Sequence, residues 1–384
     1  MSKKESDKLI KLIKSLKLTP KSLHEPTFKG NEVKYLKDCI KTGYVSSIGQ
    51  YVKKFEEKII NLTKSKYAVA VINGTYGLEI SLRSLEIKNK EVLLPSLTFV
   101  ATANAIYHSG GIPNFVDVDE SNLGICPKKL EKYIKKIAIK KNGKLFNKKT
   151  KNQIKALVAV HVFGFASKID ELKKICKKYN LILLEDAAEA IGSYYQKKHL
   201  GTFGKIGVIS FNGNKTITCG NGGVVLTSDK STANYVRHLT TTAKEKHKYE
   251  YLHDEIGFNL RLSNINAAIG CAQLEKLNKL IVNKRKNFVK YSKYFREFND
   301  FKILREPKNS KSNYWLISLK LLKNLKEKNY ILNKLNKYKI YCRPVWKPLH
   351  TLKMYKNFPR DNLNITTKLY NSIINLPSSP SLKI

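Results

Sequence analysis

The stretch GVISFNGNKTITCGNGGVVLT (207–227) decides the reading of the chain. Two apolar runs, GVISF and GGVVLT, are each of strand length and bounded by Gly and Asn. They enclose a polar loop, so they read as buried strands joined through a turn. In the loop stands Lys215, away from the exposed helix faces where most lysines of this chain recur, as in LKKICKKYN (172–180). A lysine becomes a nucleophile only where desolvation or crowding lets its ammonium lose a proton. On local chemistry alone Lys215 reads more readily as one more surface lysine in a lysine-rich chain.

Working outward, the same apolar runs recur at 67–72 (YAVAVI), 91–95 (EVLLP), 113–118 (PNFVDV), 154–162 (IKALVAVHV) and 181–186 (LILLED). With 207–211 and 222–227 they make seven strands. Alternating with helical stretches, they predict a large α/β domain with a mostly parallel sheet covered on both faces. Upstream, 7–18 is a basic amphipathic helix with Leu9, Leu12, Ile13 and Leu16 on one stripe, and helices follow at 31–42 and 51–63 around the turn GYVSSIG. The polar, lysine-rich 138–152 reads as a solvated loop. Beyond residue 262 come a long helix (263–290), a strand-like run (314–321) and a helix near 325–338, a smaller α+β unit. The expected division is 1–24 for the N-terminal helix, 25–262 for the large domain and 263–384 for the small one.

Composition narrows the function. The chain has 384 residues, is 42% hydrophobic and carries a formal net charge of +42. That charge invites a nucleic-acid reading. Lysines spread along the whole chain instead of forming one basic stripe, which points away from a specific nucleic-acid partner and towards a general attraction for anionic ligands. No apolar run reaches the length of a membrane span, and no signal-peptide core follows the first residues, so a soluble cytoplasmic protein is expected. Six cysteines stand singly, and eight histidines show no ligand spacing, so neither a disulfide framework nor a metal site is read.

In an open α/β sheet the ligand lies beyond the carboxyl ends of the strands. After strand 67–72 comes Asn73-Gly74-Thr75 at the start of a helix, either a phosphate cradle or simply an N-cap. After strand 181–185 comes Asp186, either a helix N-cap or a carboxylate for a cationic ring. His161 ends a strand on the ligand side, where it either lines the site or is a satisfied core histidine.

Taken together, EPTFKGNEVKYLKDCIKTGYVSSIGQYVKKFEE (25–57), NGTYGLEISLRSL (73–85), LLPSLTFVATANAI (93–106), LVAVHVFG (157–164), LEDAAEAIGS (184–193), SFNGNKTITCGNGGVV (210–225), GFNLRLSNINAAIG (257–270) and RPVWKPLH (343–350) resemble the DegT/DnrJ/EryC1/StrS sugar aminotransferases. That resemblance implies a pyridoxal-phosphate (PLP)-dependent transferase of fold type I, aspartate-aminotransferase-like. It implies Lys215 as the lysine that carries the cofactor and later moves the substrate proton, with Asp186 on the pyridinium nitrogen. Gly74, Thr75 and Ser210 match the phosphate cradle, Phe99 the aromatic that stacks on the ring, and Asn259 a residue reaching the cofactor from a partner subunit of a homodimer. Glu189 stands where many relatives have Gln or His near the cofactor's 3′-oxygen; ionised, it would repel that oxygen, so it is protonated or turned away. Arg343, with His350 and Trp346 nearby, and His161 are the candidate substrate contacts. The implied reaction takes an amino group from glutamate to a nucleotide-linked 4-keto-6-deoxy sugar. The phrases EVLLPSLTFVATANAI, SFNGNKTIT and EPTFKGNE favour a UDP-N-acetylhexosamine type, with a GDP-perosamine synthase type as the alternative. A PLP-binding regulatory protein is the non-enzymatic reading.

Overall fold

A computed structural model describes residues 3–323 and 327–384. The strands, in chain order, are β1 (Tyr67–Val71), β2 (Glu91–Pro95), β3 (Ile112–Val116), β4 (Ala138–Lys141), β5 (Lys144–Asn147), β6 (Gln153–Val160), β7 (Ile182–Asp186), β8 (Tyr194–Tyr195), β9 (Lys198–His199), β10 (Ile206–Ser210) and β11 (Gly223–Thr227). The main sheet runs β1-β11-β10-β7-β6-β2-β3. The pairs of β10 with β7, β7 with β6, β6 with β2 and β2 with β3 are parallel, and β11 lies antiparallel between β1 and β10. All seven strands predicted from apolar runs are present.

The α-helices that precede the C-terminal sheet in the chain are α1 (Lys3–Ser15), α2 (Glu32–Thr42), α3 (Gln50–Thr63), α4 (Gly74–Arg83), α5 (Ala101–His108), α6 (Pro127–Ile137), α7 (Ile169–Tyr179), α8 (Lys230–Thr240) and α9 (Asn264–Tyr294). Alternation along the strands sends Val69, Val71, Val208 and Val225 to a core with α4, α5 and α8. Ala68, Ala70, Ile209 and Val224 go to an opposite core with α3 and α9. Burial on both faces is why these strands read as continuous apolar runs.

The stretch 138–152 is not a solvated loop. It folds as the hairpin β4–β5, with β5 antiparallel to the start of β6. The reason is tertiary. The fully buried carboxylate of Glu91 accepts from Asn114, Asn147 and Thr150, and two of these donors lie in or just after the hairpin.

The C-terminal unit is a four-stranded antiparallel sheet, β12 (Phe301–Ile303), β14 (Ile317–Leu321), β16 (Ile373–Leu376) and β15 (Arg343–Pro344), in that order. The strand β13 (Ser310–Lys311) pairs with β8 instead. Helix α10 (Glu327–Lys337) covers the four-stranded sheet; the start of the expected 325–338 helix lies outside the described residues. The basic N-terminal helix packs here too. Leu9, Ile10 and Ile13 are buried in one cluster with Leu319, Ile331 and Leu335, so its apolar stripe is occupied by the protein's own body. Among the described residues no helix is long and apolar enough to cross a membrane.

Candidate active site

The carboxyl ends of β1, β7 and β10 meet at one edge of the sheet. Gly223, first residue of the antiparallel β11, lies opposite both Val71 and Ser210. A Cβ there would come within 2.5 Å of the carbonyl carbon of Asn73, so only glycine lets the chains close up. Above this edge opens a cavity of about 300 Å³, bounded by the start of α4, residues 98–101, the turns after β7 and β10, and two tryptophans of the C-terminal segment, Trp315 and Trp346.

Gly74 and Thr75 open α4 after Asn73, whose side chain caps the helix by accepting from the Tyr76 N–H at 2.9 Å. The first helical N–H groups and the positive end of the helix dipole therefore face the cavity. A Cβ on Gly74 would stand 2.9 Å from the Cβ of Ser210, so glycine is what allows this hydroxyl to approach the helix start.

Asp186 ends β7 and is 6% exposed. Its Oδ2 accepts from the Thr102 hydroxyl at 2.7 Å and its Oδ1 from the Ala188 N–H at 3.1 Å. Two donors hold the carboxylate, and lone pairs remain for a third partner. Lys215 and Glu189 face each other, Nζ to Oε1 at 3.5 Å, and both are nearly shut off from solvent. The Lys215 ammonium also lies 4.0 Å from the centre of the Trp315 ring, and the Trp315 indole N–H donates to the carbonyl of Asn214 at 2.8 Å. Burial pushes the Glu189 carboxyl up to about 7; the charge of Lys215 and the Phe163 N–H oppose this, and the charge of Asp186 adds to it. Phe99 stands half-exposed at the cavity wall, 6.4 Å from Trp346 between ring centres.

Three expected contacts lie elsewhere, and a fourth residue, Asn259, was expected to serve the cavity of a partner subunit. His161 is a correction: it is fully buried, its Nε2 pairs with Glu185 Oε2 at 2.9 Å, and its Nδ1 accepts from the Ser167 N–H. Val160, one residue earlier, points into the cavity instead, as strand alternation requires. Arg343 is exposed on β15 and His350 binds Ser96 through Nδ1 at 2.8 Å; neither forms part of the cavity wall. Asn259 is exposed and also outside it.

The sequence reading missed Thr102, Trp315 and His24. His24 has both ring nitrogens out of solvent and without a hydrogen-bond partner among the described residues. Burial, then the charges of Lys284 and Lys215, hold its pKa well below the ordinary histidine value. Among the described residues no group of three or more His, Cys, Asp or Glu side chains could hold a metal ion.

The donor set suits PLP. The glycine-lined start of α4 with Ser210 would hold the phosphate, Asp186 the ring nitrogen and Lys215 the aldehyde carbon, with Phe99 at a ring face. Fold and cavity together define a fold type I PLP enzyme. The chain belongs to the DegT/DnrJ/EryC1/StrS aminotransferase family, whose profile matches residues 26–384. It is similar to the GDP-perosamine synthase of Escherichia coli O157:H7, 36% identical over 94% of this chain and 93% of that protein. It is 35% identical to the GDP-perosamine synthase of Vibrio cholerae over 94% of each chain. Among solved structures it resembles Helicobacter pylori PseC, an aminotransferase of pseudoaminic acid biosynthesis, with a TM-score of 0.85, 26% identity and 94% of each chain covered. The protein is therefore a PLP-dependent aminotransferase of this family.

Proposed function

We propose that the chain moves an amino group from glutamate to the 4-keto carbon of a GDP-linked 4-keto-6-deoxy sugar, the reaction type of GDP-perosamine synthases. The observation that carries this is near-full-length similarity, 36% and 35% identical, to two proteins of that name. It supports this type better than the UDP-N-acetylhexosamine type that the sequence phrases favoured.

In this reading Lys215 attaches the cofactor and afterwards carries a proton to and from the substrate carbon. PLP, when bound, supplies an electron sink for that carbon. Asp186, fixed by Thr102 and Ala188, keeps the ring nitrogen protonated. The start of α4 and Ser210 anchor the phosphate. Trp315 excludes water from the Lys215 Nζ and fixes the Asn214 carbonyl beside it. The active form is a homodimer, and the exposed Asn259 reaches the cofactor phosphate of the second copy. The net charge of +42 adds a general attraction for the nucleotide diphosphate.

The test is amination of GDP- and UDP-linked 4-keto-6-deoxy sugars with glutamate, read by mass spectrometry of the product. Amino-sugar product from the GDP-linked substrate, absent with Lys215→Ala, is expected. Product from the UDP-linked substrate alone would restore the other type.

A further inference from the structure

Glu189 is held more tightly than an incidental neighbour of Lys215 would need to be. Its backbone carbonyl accepts from Asn313 Nδ2 at 2.8 Å, and the same amide nitrogen also donates to the carbonyl of Ile191 at 2.9 Å. Its Oε2 takes the N–H of Phe163 at 2.7 Å. Phe163 sits at φ 56, the left-handed region that a bulky residue enters only at a cost, and Gly164 follows at φ 85. A Cβ on Gly164 would lie 2.1 Å from Asn313 Oδ1, so this bend and the Asn313 anchor are built around each other.

One carboxylate oxygen is thus committed to the scaffold. The other, Oε1, stands 3.5 Å from the Lys215 Nζ, which also lies over the Trp315 ring. The charged groups facing Glu189 are Lys215 and Asp186. His24 feels the charges of Lys284 and Lys215, and burial drives both His24 and Lys284 towards their neutral forms.

We propose that Glu189 is the proton acceptor that converts the Lys215 ammonium into the nucleophilic amine. The Nζ–H bond breaks, an O–H bond forms on Oε1, the electron pair stays on nitrogen, and the net charge of the pair is unchanged. Ammonium plus carboxylate becomes amine plus carboxylic acid. Burial narrows the gap between these two arrangements, because desolvation penalises the ion pair and spares the neutral one. A carboxyl group that titrates near neutrality is matched to that exchange.

The inference rests on Lys215 being the attachment residue, and the experiment separates the two. Apoprotein is mixed with PLP, and growth of the visible absorbance band is followed between pH 5.5 and 9 for wild type, Glu189→Gln, Glu189→Asp and Lys215→Ala, each first shown to melt cooperatively. Wild type is expected to attach faster as pH rises through about 7 and then to level off. Glu189→Gln is expected to be slower by about 10²-fold at pH 8, with a rate that climbs steadily and shows no levelling near 7. Glu189→Asp, which keeps a carboxylate, recovers part of the rate. Wild-type behaviour in Glu189→Gln, or a slow Glu189→Gln that keeps the inflection near 7, would overturn the inference while leaving Lys215 in place. A band in Lys215→Ala would overturn the assignment beneath it.

Discussion

Glu185 and Glu189 lie four residues apart, both carboxylates are buried, and their surroundings drive them in opposite directions. On the far side of β7, Glu185 accepts from the N–H groups of Gly201, Phe203 and Gly204 and pairs with His161. Burial alone would raise its pKa, but the His161 bond and these backbone donors outweigh it, and the net shift is downward. On the cavity side, Glu189 has one backbone donor and a lysine at 3.5 Å, burial wins, and its pKa rises to about 7. A buried carboxylate with a complete donor set fixes the scaffold. One with an incomplete set keeps a proton available near neutral pH.

The largest effect should come on the cavity side. Replacing Lys215 by Ala removes both attachment and proton transfer, and turnover should fall by about 10⁴-fold or more in an amination assay, with the apoprotein still unfolding cooperatively on heating. Activity within tenfold of wild type would end the account of the cavity.

On the scaffold side, Glu185→Ala leaves His161 and three backbone N–H groups without their acceptor, and should cost about 3–5 kcal/mol in denaturant unfolding. Glu185 also contributes to the acid limb. With a pKa below its unfolded value of 4.5, it stabilises the fold fully above that pH and loses its contribution as pH falls through the depressed value.

Glu189 gives the opposite sign. Its folded pKa exceeds the unfolded 4.5, so between pH 4.5 and about 7 the folded state binds more protons, and stability declines as pH rises through that window. Glu189→Gln removes the decline. Above pH 7 the apoprotein variant should be more stable than wild type by up to about 3 kcal/mol, with little difference at pH 4.5. Equal stabilities at pH 8 would erase the contrast between the two carboxylates.

The smallest effect is expected at the helix start. Gly74→Ala places a Cβ 2.9 Å from that of Ser210, so the cradle must open. PLP affinity, measured by equilibrium dialysis, should weaken about tenfold, near 1.4 kcal/mol. Unchanged affinity would move the phosphate elsewhere.

The seven strands were legible because each is an apolar run bounded by turn residues. The hairpin at 138–147 was not, because its lysine-rich sequence gives little alternation and its anchor, Glu91, lies far away in the chain. Around the cavity, Gly74, Thr75, Phe99, Asp186, Glu189, Ser210 and Lys215 come together as the ordered motifs implied, although no one of them was decisive from local chemistry. His161 was misplaced by the phase of a single residue, since neighbouring strand positions face opposite sides. Thr102, Trp315 and Asn313 were beyond sequence reasoning, because each acts through a partner distant in the chain.

The central claim is that PLP attaches at Lys215. Borohydride reduction of the holoprotein, followed by proteolysis and mass spectrometry, reads the attachment point directly. The account predicts a reduced pyridoxyl group on the peptide containing Lys215; the same group on any other lysine, or on none, would contradict it.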